Sequence, residues 1–198
     1  KSGALSPEVQ FYLGSCYVHG YGVDKDIRIG LSWYRKAAEA GYALAQLCLG
    51  EHYYLGNGVL VDSFEALKWF RKAAQWKNHR AQYYLAEFYY KGYIVDKDLK
   101  TAFDWYVMAA NGGDELAIKA LLNRFSHKFI TGVSRDACLN CFELLAEKGV
   151  VEAQYEAGYL YEHYSADKNK ALYWYQVACD NGNKDAMFTM AEYYLEEQ

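Results

Sequence analysis

Gly30-Leu-Ser-Trp33-Tyr34-Arg-Lys-Ala37-Ala38-Glu-Ala-Gly41 is the stretch on which the rest of the chain is built. It returns as Ala66-Leu-Lys-Trp69-Phe70-Arg-Lys-Ala73-Ala74, and again as Ala102-Phe-Asp-Trp105-Tyr106-Val-Met-Ala109-Ala110. The tryptophans stand at 33, 69 and 105, a step of 36 residues. A fourth copy keeps the step and replaces the indole by a thiol, in Cys141-Phe-Glu-Leu-Leu-Ala146-Glu-Lys-Gly149. The fifth follows after 33 residues, at Trp174-Tyr175-Gln-Val-Ala178-Cys179. A fixed period of this size marks a solenoid, whose units pack on their neighbours.

Each unit reads as two helices. Positions Leu13, Leu49, Leu85 and Leu121, with Tyr17, Tyr53, Tyr89 and Phe125 four residues later, fall on one face of a first helix. Gly14, Gly50, Ala86 and Gly158 put a small residue beside them, so a second helix can approach closely. Gly20, Gly56 and Gly92 supply a left-handed stop. Asp26, Asp62, Asp98, Ser134 and Asp167 are N-cap residues that open the second helix. That helix closes with Gly41, Gly113, Gly149 and Gly182, and with Lys77-Asn78 in the second unit, where Asn is expected to take the left-handed shape.

The helices are therefore expected at 7–20, 26–40, 43–56, 62–76, 79–92, 98–111, 115–128, 134–148, 151–164, 167–181 and 184–197. They form one all-α solenoid over 1–198, with repeats at about 6–41, 42–77, 78–113, 114–149 and 150–182, and a half repeat at 183–198. Repeat 4 departs most, carrying Leu122 at the small position and Cys141 at the tryptophan position. The two are expected to face each other as a volume-conserving swap. The half repeat ends in apolar Met187, Phe188, Met190, Tyr193 and Tyr194, so it is either truncated or docked on something.

Composition narrows the function. The 198 residues carry a formal charge of −4 and no lysine-rich stripe, so nucleic acid is not expected as a partner. No apolar run approaches the roughly 20 residues that cross a bilayer, so direct membrane insertion is not expected. The chain begins in mid-pattern without Met, as a fragment or processed product does. Five Cys show no repeat-wise pairing, which leans toward a reducing, cytosolic compartment.

With Ala45-Gln-Leu-Cys-Leu49-Gly50-Glu-His-Tyr53-Tyr-Leu-Gly56-Asn-Gly58-Val59 followed by Ala66-Leu-Lys-Trp69-Phe70-Arg-Lys-Ala73-Ala74, the chain resembles the Sel1-like repeat family, relatives of tetratricopeptide repeats. The resemblance is dense in repeats 1 to 3, poor in repeat 4, and runs from about 7 to 197. It implies a right-handed superhelix of helix pairs, an adaptor role, and a concave surface lined by the first helix of each repeat. A cysteine-rich subgroup of that family ties its two helices by a disulfide. Cys179-Asp-Asn-Gly looks like the first half of that motif, but Met187 stands near where the second Cys is needed.

Candidate chemistry is sparse. Cys138-Leu-Asn-Cys141 is a C-x-x-C without the strand a redox pair needs or a second ligand pair for zinc, and reads as core filler. His19, His127 and His163 share one position, with no further ligands to make a metal site. No nucleophile elbow, Walker loop or zinc-protease motif occurs, so no catalytic residue, metal or cofactor is expected.

One stripe stands above this background. It runs along the first helices at positions equivalent to 12, 15, 16 and 19. It gathers Tyr12, His19, Glu51, His52, Leu55, Tyr84, Glu87, Phe88, Lys91, Arg124, His127, Tyr159 and His163. Aromatic and charged side chains of this kind make contact hot spots. The competing account has Phe88, Leu55 and Leu160 packed between repeats. If the stripe is surface, charge reversal of Lys91 and Arg124 leaves folding intact. Trp76, where other repeats have small or polar residues, is a second candidate contact.

The reading is a non-catalytic interaction module that binds a partner protein or peptide on the stripe. The alternative is a structural spacer or docking segment in a larger protein. A hydrolase ranks last, for want of a concentrated polar site.

Overall fold

The structure is a computed structural model that describes residues 5–129 and 131–196. All regular elements among them are helical. The first unit of the chain holds α1 Pro7–His19, α2 Ile27–Glu39, α3 Ala43–Leu55, α4 Ser63–Gln75, α5 His79–Lys91 and α6 Leu99–Asn111. The second holds α7 Glu115–Phe125, α8 Arg135–Glu147, α9 Val151–Leu160, α10 Lys168–Asp180 and α11 Lys184–Glu196. Contacts divide the chain into these two compact units at Asp114.

Most boundaries fall within a residue of expectation because the caps act where the sequence puts them. Asp26, Asp62, Asp98 and Asp167 each accept the backbone N–H three residues on, at 3.0, 3.0, 3.0 and 3.1 Å, and Ser134 does so at 3.2 Å. The loop before each cap is closed by a recurring bond. The N–H groups of Asp26, Asp62 and Asp98 donate to the carbonyls of Tyr17, Tyr53 and Tyr89 at 2.9, 2.9 and 3.0 Å. Gly20, Gly56 and Gly92 take positive φ and end α1, α3 and α5.

Five expectations need correction or limit. In the second repeat the left-handed residue is Lys77, at φ 57°, while Asn78 caps α5 by accepting from Ala81 N–H at 2.9 Å. Helix α7 stops at Phe125, short of 128, and α9 passes into a π-helical turn over Tyr161–Ser165. The expected residue 197 of the last helix lies outside the described residues. The pairing of Leu122 with Cys141 does not follow the packing of the other repeats either. Gly14, Gly50 and Gly158 lie under the rings of Tyr34, Phe70 and Tyr175, one position beyond the tryptophan slot. Leu122 instead lines a cleft with Ile118 and Val150, while Cys141 is buried.

The core of each unit is therefore organised on that ring. Tyr34, Phe70 and Tyr106 are buried in the first unit, and Phe142 and Tyr175 in the second. In the first unit, Leu49, Trp69, Tyr34 and Leu31 form one apolar cluster, and Phe70, Leu85, Phe88 and Leu67 a second. Both join a first helix to second helices, which is how burial fixes the pairwise array.

Candidate functional site

The stripe is not one surface. In the first unit Tyr12, His19 and Leu55 are exposed, Leu55 at 57%. Phe88 is only 2% exposed and sits edge-on to Tyr54 at 5.8 Å, so it belongs to the core and not to an exposed hot spot. In the second unit Leu160 is buried as well. The packed account holds for these two and fails for Leu55.

Helices α3 and α5 do bring several stripe residues together. Tyr84 Oη donates to Glu51 Oε1 at 3.1 Å, and Tyr84 stacks on Phe70 at 4.4 Å. Burial pushes the Glu51 carboxyl above its ordinary range, outweighing the Tyr84 bond and the nearby Arg80 charge. Arg80 itself is anchored on Asp114 at 2.6 Å. Glu87 is buried and accepts from Tyr106 Oη at 2.5 Å and from Lys91 Nζ at 3.0 Å. Lys91 loses solvation, yet its bonds to Glu87 and Tyr54 hold its pKa above the usual value. A reversed charge at 91 would meet the buried Glu87 carboxylate. Lys91 is therefore not the independent surface charge that the sequence suggested. His52 keeps to its own helix end, donating from Nδ1 to the Asn57 carbonyl at 2.6 Å.

Beside the Glu87–Lys91 pair lies a cleft of about 360 Å³, lined by Tyr54, Val61, Ser63, Phe88 and Tyr93. Its floor is the buried Phe88 ring and its rim is open. Tyr93 is 74% exposed, and Val61, which lines the same cleft, is exposed as well. Exposed apolar side chains gathered at one cleft mark interaction sites more often than random surface. The stripe contributes Phe88, Lys91 and Glu87. The rim residues went unnoticed because they sit in the loops, where turn chemistry explained the sequence.

In the second unit, His127 donates from Nδ1 to Glu156 at 2.9 Å, and its backbone N–H reaches the same carboxylate at 2.7 Å. Its ring stacks on Tyr159 at 3.9 Å, and Tyr159 stacks on His163 at 4.0 Å. The two histidines thus meet through a tyrosine ring. Among the described residues no group of three or more His, Cys, Asp or Glu is placed to hold a metal ion, and no helix is long and apolar enough to cross a membrane. Arg124 is half-buried on α7. Trp76 is 67% exposed at the end of α4.

All five cysteines are free thiols. Burial pushes Cys141 up to about 12 and Cys138 up to about 11, which makes them poor nucleophiles at neutral pH and suits core filler. Cys48 is raised to about 12 by burial and the Glu51 charge. One recurring polar position escaped the sequence reading. Gln46 and Gln154 are buried in the first helices and donate to the carbonyls of Ala38 and Ala146, at 3.0 and 3.4 Å. Glutamine at the same place in four of the five repeats, as Gln10, Gln46, Gln82 and Gln154, was the available signal.

The family model described as Sel1 repeat matches residues 7–42, 43–75, 79–114 and 151–183. The unmatched stretch corresponds to repeat 4. Among solved structures, the chain is similar to a Sel1 repeat protein from Oxalobacter formigenes. Identity is 34%, covering 92% of this chain and 76% of that one, with a TM-score of 0.69. It is also similar to a protective antigen present in uropathogenic Escherichia coli strains, which displays the same repeat fold. Identity there is 30%, with 95% of this chain covered and a TM-score of 0.59, and the chain spans 49% of that protein. Comparison with curated proteins gave no match.

Proposed function

Because the chain belongs to the Sel1 repeat family, whose members are generally protein-interaction modules without catalysis, we propose that it is an adaptor that binds a partner protein or peptide on the α3–α5 face of its first unit. The carrying observation is the cleft beside Lys91, with its buried Phe88 floor and its exposed Val61 and Tyr93 rim. An apolar anchor from the partner would enter over Phe88. The Glu87–Lys91 pair and Ser63 would supply the polar edge that sets its orientation.

The test is a comparative capture with the intact chain and a Val61→Ser, Tyr93→Ser variant. Both side chains are exposed, so both proteins should show the same helicity. The proposal expects a partner retained by the first and weakened about thirtyfold or more in the second, the size of a lost hot spot. Equal capture by both overturns it. The spacer reading draws on a different feature. Phe188, Tyr194 and Leu195 of α11 are exposed, and capture of nothing by either protein, with self-association in sedimentation, would favour it.

A further inference from the structure

The second unit holds a cleft of different chemistry. It measures about 310 Å³ and is walled by Tyr155, Tyr159, Tyr175 and Tyr193, with Glu162 and Glu192 among its lining. Among the described residues no lysine or arginine lines it. We infer that this cleft takes the cationic side chain, lysine or arginine, of a partner segment. The inference rests on the adaptor reading for the nature of the partner.

The site is built and not incidental. In repeats 1 and 3 the hydroxyl of the core tyrosine bonds to the residue at one fixed position of the first helix. Tyr34 pairs with Ser15 at 3.0 Å, and Tyr106 donates to Glu87 at 2.5 Å. In repeat 5 that position is Tyr159, whose ring stacks with His163 instead. The Tyr175 hydroxyl turns to Glu162 and donates to Oε2 at 2.7 Å, and the Tyr193 hydroxyl donates to Oε1. The Glu162 carboxylate is thus held by two hydroxyl donors, with His163 Nδ1 3.5 Å from Oε2, and keeps further acceptor capacity.

The backbone accounts for the change. The π-helical turn over Tyr161–Ser165 places one more residue in the helix end than the α register allows, and Ala166 follows at φ 55°. That turn carries Glu162 and His163 to the cleft. Turns of this type are frequent at functional sites. One wall already carries such a contact, with Lys168 Nζ 5.2 Å from the centroid of the Tyr193 ring. Aromatic faces with carboxylates beside them bind ammonium and guanidinium groups through the ring quadrupole and charge together. An apolar side chain would leave the glutamates unanswered, and an anion would be repelled.

The experiment titrates the full chain with a blocked Gly-Gly-Lys-Gly-Gly peptide, its norleucine analogue, and n-butylammonium, following the tyrosine ring resonances. The lysine peptide is expected to bind about fivefold or more tightly than the norleucine peptide. Glu192→Gln should weaken it severalfold while melting is unchanged, since Glu192 is exposed. Glu162→Gln should weaken it further; should that variant unfold, Glu192→Gln decides. Equal binding of the norleucine peptide, indifference to Glu192→Gln, or no shift with the lysine peptide overturns the inference. Binding of n-butylammonium as tight as the peptide overturns the assignment to a protein segment. Failure here leaves capture through Val61 and Tyr93 untouched, and failed capture with the peptide still bound overturns the adaptor proposal alone.

Discussion

Trp69→Ala lowers the unfolding free energy by about 3–5 kcal/mol in a urea titration. Trp69 is 2% exposed and packs in the cluster with Leu49, Tyr34 and Leu31. Its indole N–H donates to Glu65 Oε2 at 3.1 Å, and Lys72 Nζ lies 4.5 Å from the ring. Truncation leaves a cavity that helices α3 and α4 cannot close without breaking their own contacts. The internal contrast is Trp76→Ala, which should stay within about 0.5 kcal/mol, because that ring is exposed and touches no core. A loss at Trp69 no larger than at Trp76 would show that the repeat core is not where the structure puts it.

Gly14→Ala is expected to cost about 1–3 kcal/mol net, even though alanine is the better helix former. A methyl there would stand 2.7 Å from the Tyr34 ring and 2.9 Å from the Gly30 carbonyl oxygen. The same holds in reverse, since a methyl on Gly30 would meet the Gly14 carbonyl at 2.9 Å. Backbone faces backbone, so α1 and α2 must separate. Gly50→Ala should cost less, because the atoms close to its Cβ all belong to the Phe70 side chain. Urea midpoints of the two variants, measured side by side, test this. Equal losses would contradict it.

The array was readable because its signals repeat and are local. Five acidic or serine caps and the recurring glycines placed nearly every boundary, and each does the job its position implies. Two things were misplaced for one reason. Tryptophan is the conspicuous marker of the period, yet the ring over the small residue is its neighbour, Tyr34, Phe70 or Tyr175. Neighbouring positions on a helix differ by about 100° in direction, and periodicity alone does not choose between them. Phe88 fell on the wrong side of that line too, as one of two buried residues, with Glu87, in the named stripe. The Glu87–Lys91–Tyr106 cluster was out of reach because Tyr106 comes from the following helix, and sequence spacing carries no such register. Repeat 5 was visibly shorter, but its spacing does not reveal that α9 passes into a π turn, which carries Glu162 and His163 to the tyrosine cleft.

The adaptor account is tested most directly by hydrogen exchange on the intact chain with and without a captured partner. The account predicts new protection in residues 54–64 and 87–93, around Phe88, Val61 and Tyr93, with the helices of the first unit otherwise unchanged. Protection confined to α11 or to the surroundings of Trp76, with the α3–α5 face exchanging as before, would contradict it.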